Sequence, residues 1–269
     1  IREIFSRYTD LIEPLSLDEA YLDVTSSELC QGSATFIAER IRMDIFNETN
    51  LTASAGIAPN KFLAKIASDE NKPNGQCVVS PEKVEKFVAE LSLKKIPGIG
   101  PKTAKRLSSF GFNSCRDVRR SSVIELQKIV GKQALSLYQR SFGQDNRSVE
   151  TSRERKSLAV ETTLAHDLRN LNECYSVLDK IYARLQMRLE KCDDKLIIKQ
   201  GVKLKFSDFN QTTVEQQSSV IDYQTFKDLL AKAYLRSNER SIRLVGLTLG
   251  FRKKTIKNEE FCQLSLPAM

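Results

Sequence analysis

The chain has 269 residues, 41% of them hydrophobic and 28% charged, and a formal net charge of +8. That length allows two or three compact units of about 100 residues each, and no apolar run reaches the roughly 20 residues that a membrane-spanning helix needs. Its one histidine, His166, leaves no place for histidine triads or multi-histidine metal sites, so any chemistry must rest on carboxylates.

The six cysteines are scattered without a CxxC pair, which argues against a disulfide framework or a zinc site and fits a reducing cytoplasm. Counted by segment, the charge is −5 over residues 1–80, +7 over 81–150, +8 over 151–257 and −2 over 258–269. An acidic module followed by two basic ones suits a metal site flanked by surfaces that hold a polyanion. Solvated helix faces would give the same runs. The start, Ile1-Arg2-Glu3, has neither methionine nor signal-peptide order and reads as a chain cut within a domain.

In Leu15 to Thr25 the apolar residues sit at odd positions and then at even ones, and the phase breaks at Asp18-Glu19. Side chains alternate faces along a strand, so the break marks a turn or bulge that can set two adjacent acids on one side. Two carboxylates there could bind a divalent cation, although an acidic turn facing solvent has the same signature. Ser33 to Asn47 reads as a helix capped by Ser33, with Phe36, Ile37, Ile41 and Ile45 at helical spacing. The small residues Thr52 to Ala58 suit a buried strand beside a closely approaching backbone. A helix over 60–68 follows, with Phe62, Leu63 and Ile66 inward and Lys61 and Lys65 free to face phosphate.

A helix opens at Ser80-Pro81 and continues through Val84, Phe87, Val88 and Leu91. Ile96-Pro-Gly-Ile-Gly100 then leads into a basic helix from Pro101, the pattern of a helix-hairpin-helix. There Gly98 and Gly100 would let backbone approach a DNA phosphate, and the amides of the next helix, with Lys102 and Thr103, would hold it, although a purely structural turn has the same Gly-x-Gly signature. Residues 144–157 are polar and read as a linker. Beyond them, strand-like (158–165), helix-like (171–191), strand-like (197–206 and 212–220), helix-like (222–235) and strand-like (242–251) segments give a β-α-β-β-α-β order. Period-two alternation sends Lys203 and Lys205 to the face opposite Val202, Leu204 and Phe206, which predicts a basic sheet face.

Three stretches together, SLDEAYLDVT (16–25), TASAGIAPNKFLAKIASDENKPNGQ (52–76) and IPGIG (96–100), resemble the Y-family, translesion DNA polymerases, with the bacterial branch the best match. The resemblance continues through QGVKLKFSDFNQTT (200–213) and IRLVGLTL (242–249). It implies an α+β fold: a partial palm with a mixed or antiparallel sheet over 1–80, a small helical thumb over 81–150, a linker over 151–157, a little finger over 158–257 and a tail over 258–269.

On the same resemblance, Asp18 and Glu19 are the catalytic, metal-binding palm carboxylates, and Lys72 contacts the incoming deoxynucleoside triphosphate. Lys199, Lys203, Lys205 and Arg243 become candidates for DNA backbone contacts. Gln263, Leu264 and Leu266 resemble a peptide that docks on the sliding clamp. The cofactor would be Mg²⁺, two ions in the complete enzyme. The partners would be primer-template DNA, nucleotide and clamp, for a monomer in the bacterial cytoplasm, associated with the nucleoid. The family's first metal-binding aspartate, steric gate and fingers lie before the first residue of this sequence, so these residues alone are expected to be inactive. A DNA-binding module without catalysis and a metal-dependent repair nuclease are the alternatives.

Overall fold

The structure, a computed structural model, describes residues 1–192 and 195–253. The chain divides after Arg153 into two compact units.

The first unit opens with the short helix α1 (Arg2–Phe5) and the antiparallel strands β1 (Ile12–Pro14) and β2 (Ala20–Leu22). Helix α2 (Ala34–Thr49) begins where the Ser33 hydroxyl accepts the amide of Phe36 at 3.4 Å. Ile37, Ile41 and Ile45 form its buried stripe with Ile4. Phe36 is exposed instead of joining that stripe, because one residue along a helix turns the side chain by about 100° from Ile37.

Strands β3 (Ala55–Ile57) and β4 (Gln76–Val78) pair in parallel across α3 (Lys61–Glu70). The Asn60 side chain caps α3 by accepting the Leu63 amide at 3.0 Å. The run of small residues has a steric reason: a Cβ on Gly56 would lie 2.0 Å from the Ala64 carbonyl oxygen and 2.4 Å from the Ser68 nitrogen. Only glycine lets α3 sit this close to β3.

Five short helices follow: α4 (Val84–Ala89), α5 (Pro101–Ser109), α6 (Cys115–Arg119), α7 (Val123–Val130) and α8 (Ala134–Ser141). The helix expected to continue through Leu91 stops at Ala89. There the backbone turns to bond elsewhere, and the Leu91 carbonyl accepts the Cys115 amide at 3.0 Å. Helices α6 and α7 each start with a capping box, Ser114 with Asp117 and Ser122 with Glu125. Phe62, Leu63 and Ile66 of α3 share one core with Val88, Leu107, Val118, Leu126 and Leu137. The change of charge sign near residue 80 therefore does not divide hydrophobic cores.

Residues 145–150 are held by the first unit and are not free linker. Asp145 accepts the Phe62 amide at 3.1 Å, and Glu13 accepts the Glu150 amide at 2.8 Å. Acceptors at the start of α3 satisfy donors that the helix itself cannot use, which is why this polar stretch is fixed.

The second unit runs β5 (Ser157–Leu168), α9 (Leu171–Leu189), β6 (Lys195–Phe206), β7 (Gln211–Gln217), α10 (Tyr223–Tyr234) and β8 (Ile242–Lys253). The sheet order is β5-β8-β6-β7, and every pair is antiparallel. Leu158, Val160, Val202, Leu204, Phe206, Val245, Leu247 and Leu249 pack with Leu178, Ile181, Leu185, Phe226 and Leu229 of the two helices. Burying a side chain such as Phe206 or Phe226 contributes about 2–3 kcal/mol, so the helix-covered face carries this unit's stability. The other face of the sheet is open. Among the described residues no helix is long and apolar enough to cross a membrane.

Candidate active site and nucleic-acid interface

The acid pair sits at the turn of the β1–β2 hairpin, closed by the Glu19 carbonyl, which accepts the amides of Leu15 at 2.9 Å and Ser16 at 3.3 Å. Asp18 is exposed and Glu19 half-buried. The Ser16 hydroxyl donates to Asp18 at 2.6 Å. That bond, with the field of Lys72 and Lys65, holds the Asp18 carboxyl below the usual carboxylate range. Glu19 lies 3.1 Å from the Lys65 ammonium. Glu19 thus pairs with a lysine on α3, and Asp18 lies within the field of that lysine.

Lys65 is itself shared with Asp69 at 3.2 Å, and Lys72 lies 2.7 Å from the other oxygen of Asp69. Burial pulls the Lys65 ammonium down, but Glu19 and Asp69 outweigh it and raise it above its ordinary value. Burial likewise pushes Asp69 up and is outweighed by Lys72 and Lys65. Three carboxylates and two ammonium groups are therefore grouped around the hairpin turn. Lys65, expected to be free for phosphate, is instead a counter-ion of Glu19.

Lys61 is a plainer correction. Its side chain is 7% exposed and forms a 2.6 Å ion pair with Glu13, itself 22% exposed, beneath the Tyr21 ring at 5.5 Å. A buried ammonium needs a paired charge, and the strand behind the acid turn supplies it. Burial pushes the Glu13 carboxyl up, yet the Glu150 amide and Lys61 together hold it below the usual range. Glu13 was not legible as a functional residue, since its only sequence signal is an acid on a short strand.

At the second expected site the glycine hairpin lies between a 3₁₀ turn (Leu93–Lys95) and α5. Gly98 has φ +92°, a left-handed conformation that favours glycine. A Cβ on Gly98 or Gly100 would meet nothing within 4 Å, so the backbone there is open to an approaching ligand. Gly100 caps α5 and Pro101 opens it, followed by exposed Lys102 and partly buried Thr103. Arg140 steadies the hairpin from below, donating to the Pro97 carbonyl at 3.0 Å with its guanidinium 5.6 Å from the centre of the Phe62 ring. Nothing in the residue pattern around Arg140 pointed to this brace.

On the open face of the second unit, the four basic candidates are engaged, not bare. Lys199 pairs with Glu215 at 2.8 Å and Lys203 with Glu161 at 2.9 Å. Lys205 lies over the Phe209 ring at 4.8 Å, and Arg243 lies over the same ring at 4.9 Å and 4.0 Å from Asp167. Alternation places Lys199, Lys203 and Lys205 on this face as expected, but the face is a mosaic of both signs, because β5 and β7 carry matching acids. Gln263, Leu264 and Leu266 lie outside the described residues.

Among family profiles, the impB/mucB/samB family matches residues 1–69, its C-terminal domain matches 155–266, and the DNA polymerase-iota thumb domain matches 94–145. A DNA polymerase IV of Colwellia psychrerythraea is 68% identical over 251 residues, covering 93% of this chain and 71% of the relative. The chain belongs to the Y-family of DNA polymerases. A DNA polymerase IV of Shewanella oneidensis is 54% identical over 260 residues, covering 96% of this chain and 73% of the relative. A solved Y-family polymerase chimera superposes with a TM-score of 0.83 at 31% identity, over 93% of this chain and 73% of that one. An insertion ternary complex of the Dbh DNA polymerase gives a TM-score of 0.60 at 29% identity, over 94% of this chain and 74% of that one.

Membership makes this a DNA-directed DNA polymerase sequence of the translesion type, with the mixed helix and sheet architecture of that family. Y-family polymerases work with a divalent metal ion. Asp18 and Glu19 fit such an ion as hard, anionic oxygen donors at an exposed turn, and among the described residues no group of three or more His, Cys, Asp or Glu side chains could hold a metal.

Proposed function

We propose that the hairpin turn is one side of the polymerase centre, with Asp18 and Glu19 holding Mg²⁺, two ions in the complete enzyme. The observation that carries this reading is the placement of both acids on one hairpin turn beside a charged cluster, in which Lys65 pairs with Glu19 and Asp69 and Lys72 pairs with the same Asp69. When bound, the metal stabilises the attacking and leaving oxygens of an in-line phosphoryl transfer. Asp18 stays ionised because Ser16 and the two lysines favour its charged form. Glu19 is the group beside the primer hydroxyl. Lys72, a compact point charge in an exposed ion pair, exchanges Asp69 for the triphosphate of the incoming nucleotide at little cost.

Residues 1–80 act as part of the palm and 81–150 as the thumb. The open hairpin at Gly98 and Gly100, with the first-turn amides at Lys102 and Thr103, receives a phosphate of primer-template DNA. Residues 151–157 link to a little finger over 158–257, whose open face meets the DNA backbone through Lys199, Lys203, Lys205 and Arg243. The tail peptide Gln263, Leu264 and Leu266 docks on a sliding clamp, and the protein works as a monomer in the bacterial cytoplasm.

With two carboxylates at the centre, this 269-residue chain binds duplex DNA without extending a primer. Manganese titration followed by electron paramagnetic resonance tests the metal reading. The wild-type chain binds the ion, and Asp18→Asn with Glu19→Gln loses it. Equal binding by the double variant removes the hairpin from the polymerase centre, and primer extension by the pure chain refutes the two-carboxylate limit.

A further inference from the structure

The open face of the second unit has a construction that the family reading does not explain. Glu161 on β5 is in register with Gly246 on β8, which is in register with Lys203 on β6. The outer two residues of this row are separated by two strand spacings, about 10 Å, yet their charged ends meet at 2.9 Å. They meet because the residue between them has no side chain. A Cβ on Gly246 would lie 3.0 Å from the Glu161 Cβ and 3.6 Å from both the Glu161 carboxylate and the Lys203 Cβ.

The second pair is built the same way. Lys199 and Glu215 are diagonal neighbours on β6 and β7 and meet at 2.8 Å. The Lys199 stem lies across Gly250, where a Cβ would be 2.5 Å from its Cγ, and Glu215 lies beside Gly201, where a Cβ would be 2.9 Å from its Cγ. Three glycines in the two central strands thus form a shallow floor on which both ion pairs lie flat.

We infer that Glu161 and Glu215 set the strength of DNA binding, acting as resident competitors that hold Lys203 and Lys199 down on the sheet and limit its grip on the phosphate backbone. This inference rests on the reading that the open face meets DNA. A bare lysine gains a phosphate and releases a counter-ion, whereas each of these lysines must first give up a carboxylate. The exchange is feasible because the pairs are half-exposed, with 32% and 48% exposure for Lys203 and Glu161, and such pairs are weak. It suits an enzyme that moves along its template: each phosphate has to be released as the next is taken, and a carboxylate within 3 Å receives the lysine as it lets go.

The test is equilibrium binding of the whole chain to a primer-template duplex, followed by fluorescence anisotropy over about 50 to 300 mM salt, where phosphate contacts weaken steeply. Glu161→Gln with Glu215→Gln should tighten binding about five- to ten-fold at the lowest salt and steepen the log–log salt slope by about 1 to 2, the increment for one or two further phosphate contacts. Glu190→Gln, the same charge change as either of these substitutions taken alone but at the end of α9 on the helix-covered side, should change affinity by less than about two-fold if net charge alone is a minor factor. Lys199→Ala with Lys203→Ala should weaken binding. If the lysine variants weaken binding while the glutamine variants leave it unchanged, or if Glu190→Gln tightens it equally, the inference is overturned and the open-face reading stands. If the lysine variants bind normally, the open-face reading fails and takes the inference with it. Glu215→Gln alone, on an edge strand, decides the matter should Glu161→Gln not fold.

Discussion

Two regions of the molecule contain lysine–carboxylate pairs of almost the same length and opposite character. Lys61 and Glu13 meet at 2.6 Å inside the first unit, and Lys203 and Glu161 meet at 2.9 Å on the surface of the second. The first pair is shielded from water, accepts a backbone amide from Glu150 and fixes the strand behind the acid turn to α3. The second has water on one side and can exchange partners. Contact distance therefore says little about what an ion pair does, and solvent access decides it.

Breaking the buried pair should have the largest effect. Lys61→Met leaves Glu13 as an uncompensated charge, and the first unit should lose about 3–5 kcal/mol of unfolding free energy, measured by urea denaturation. Adding Glu13→Gln should restore a good part of it, because no lone charge then remains. A double variant no more stable than Lys61→Met would place the contrast somewhere other than burial.

A pH series sharpens the same contrast with a smaller effect. The folded state holds the Glu13 carboxyl below its ordinary value, so its stabilisation is present above the unfolded carboxyl pKa of about 4.3 and is lost as pH falls through the folded value. The stability gap between wild type and Glu13→Gln should be widest near neutrality and should shrink as the pH drops below about 4.3. A constant gap would show that Glu13 acts through shape alone. The smallest change belongs to the surface pair: Lys203→Ala should shift the stability of the second unit by less than about 1 kcal/mol, read from thermal unfolding. A loss of several kcal/mol would move this pair into the same class as Lys61 and Glu13.

Local features were legible in the sequence. Ser33 and Asn60 announced two helix starts, the small residues around Gly56 announced a close approach, and the phase break at Asp18 announced a turn carrying both acids. The alternation from Lys199 to Phe206 correctly divided the faces of β6. What stayed hidden was every partner distant in sequence. Helical spacing says that Lys61 lies on some face of α3, but its burial depends on Glu13, 48 positions away. Alternation placed Lys203 on the open side, but Glu161 lies 42 positions away and reaches it only over a glycine. Charge counted along the chain could not anticipate neutralisation across a sheet, so a basic segment read as a basic surface.

The glycine floor has a consequence for how the second unit tolerates change. Each glycine in a strand interior costs about 0.5–1 kcal/mol relative to alanine, so the sheet accepts a loss on one side that its helix-packed side offsets. Along β6 the division follows number parity: Gln200, Val202, Leu204 and Phe206 are buried under the helices, while Lys199, Lys203 and Lys205 are presented outward. A one-residue insertion in this strand would exchange the two roles, putting ammonium groups into the core and phenylalanine into water, whereas substitutions at odd positions can vary charge without touching the packing beneath.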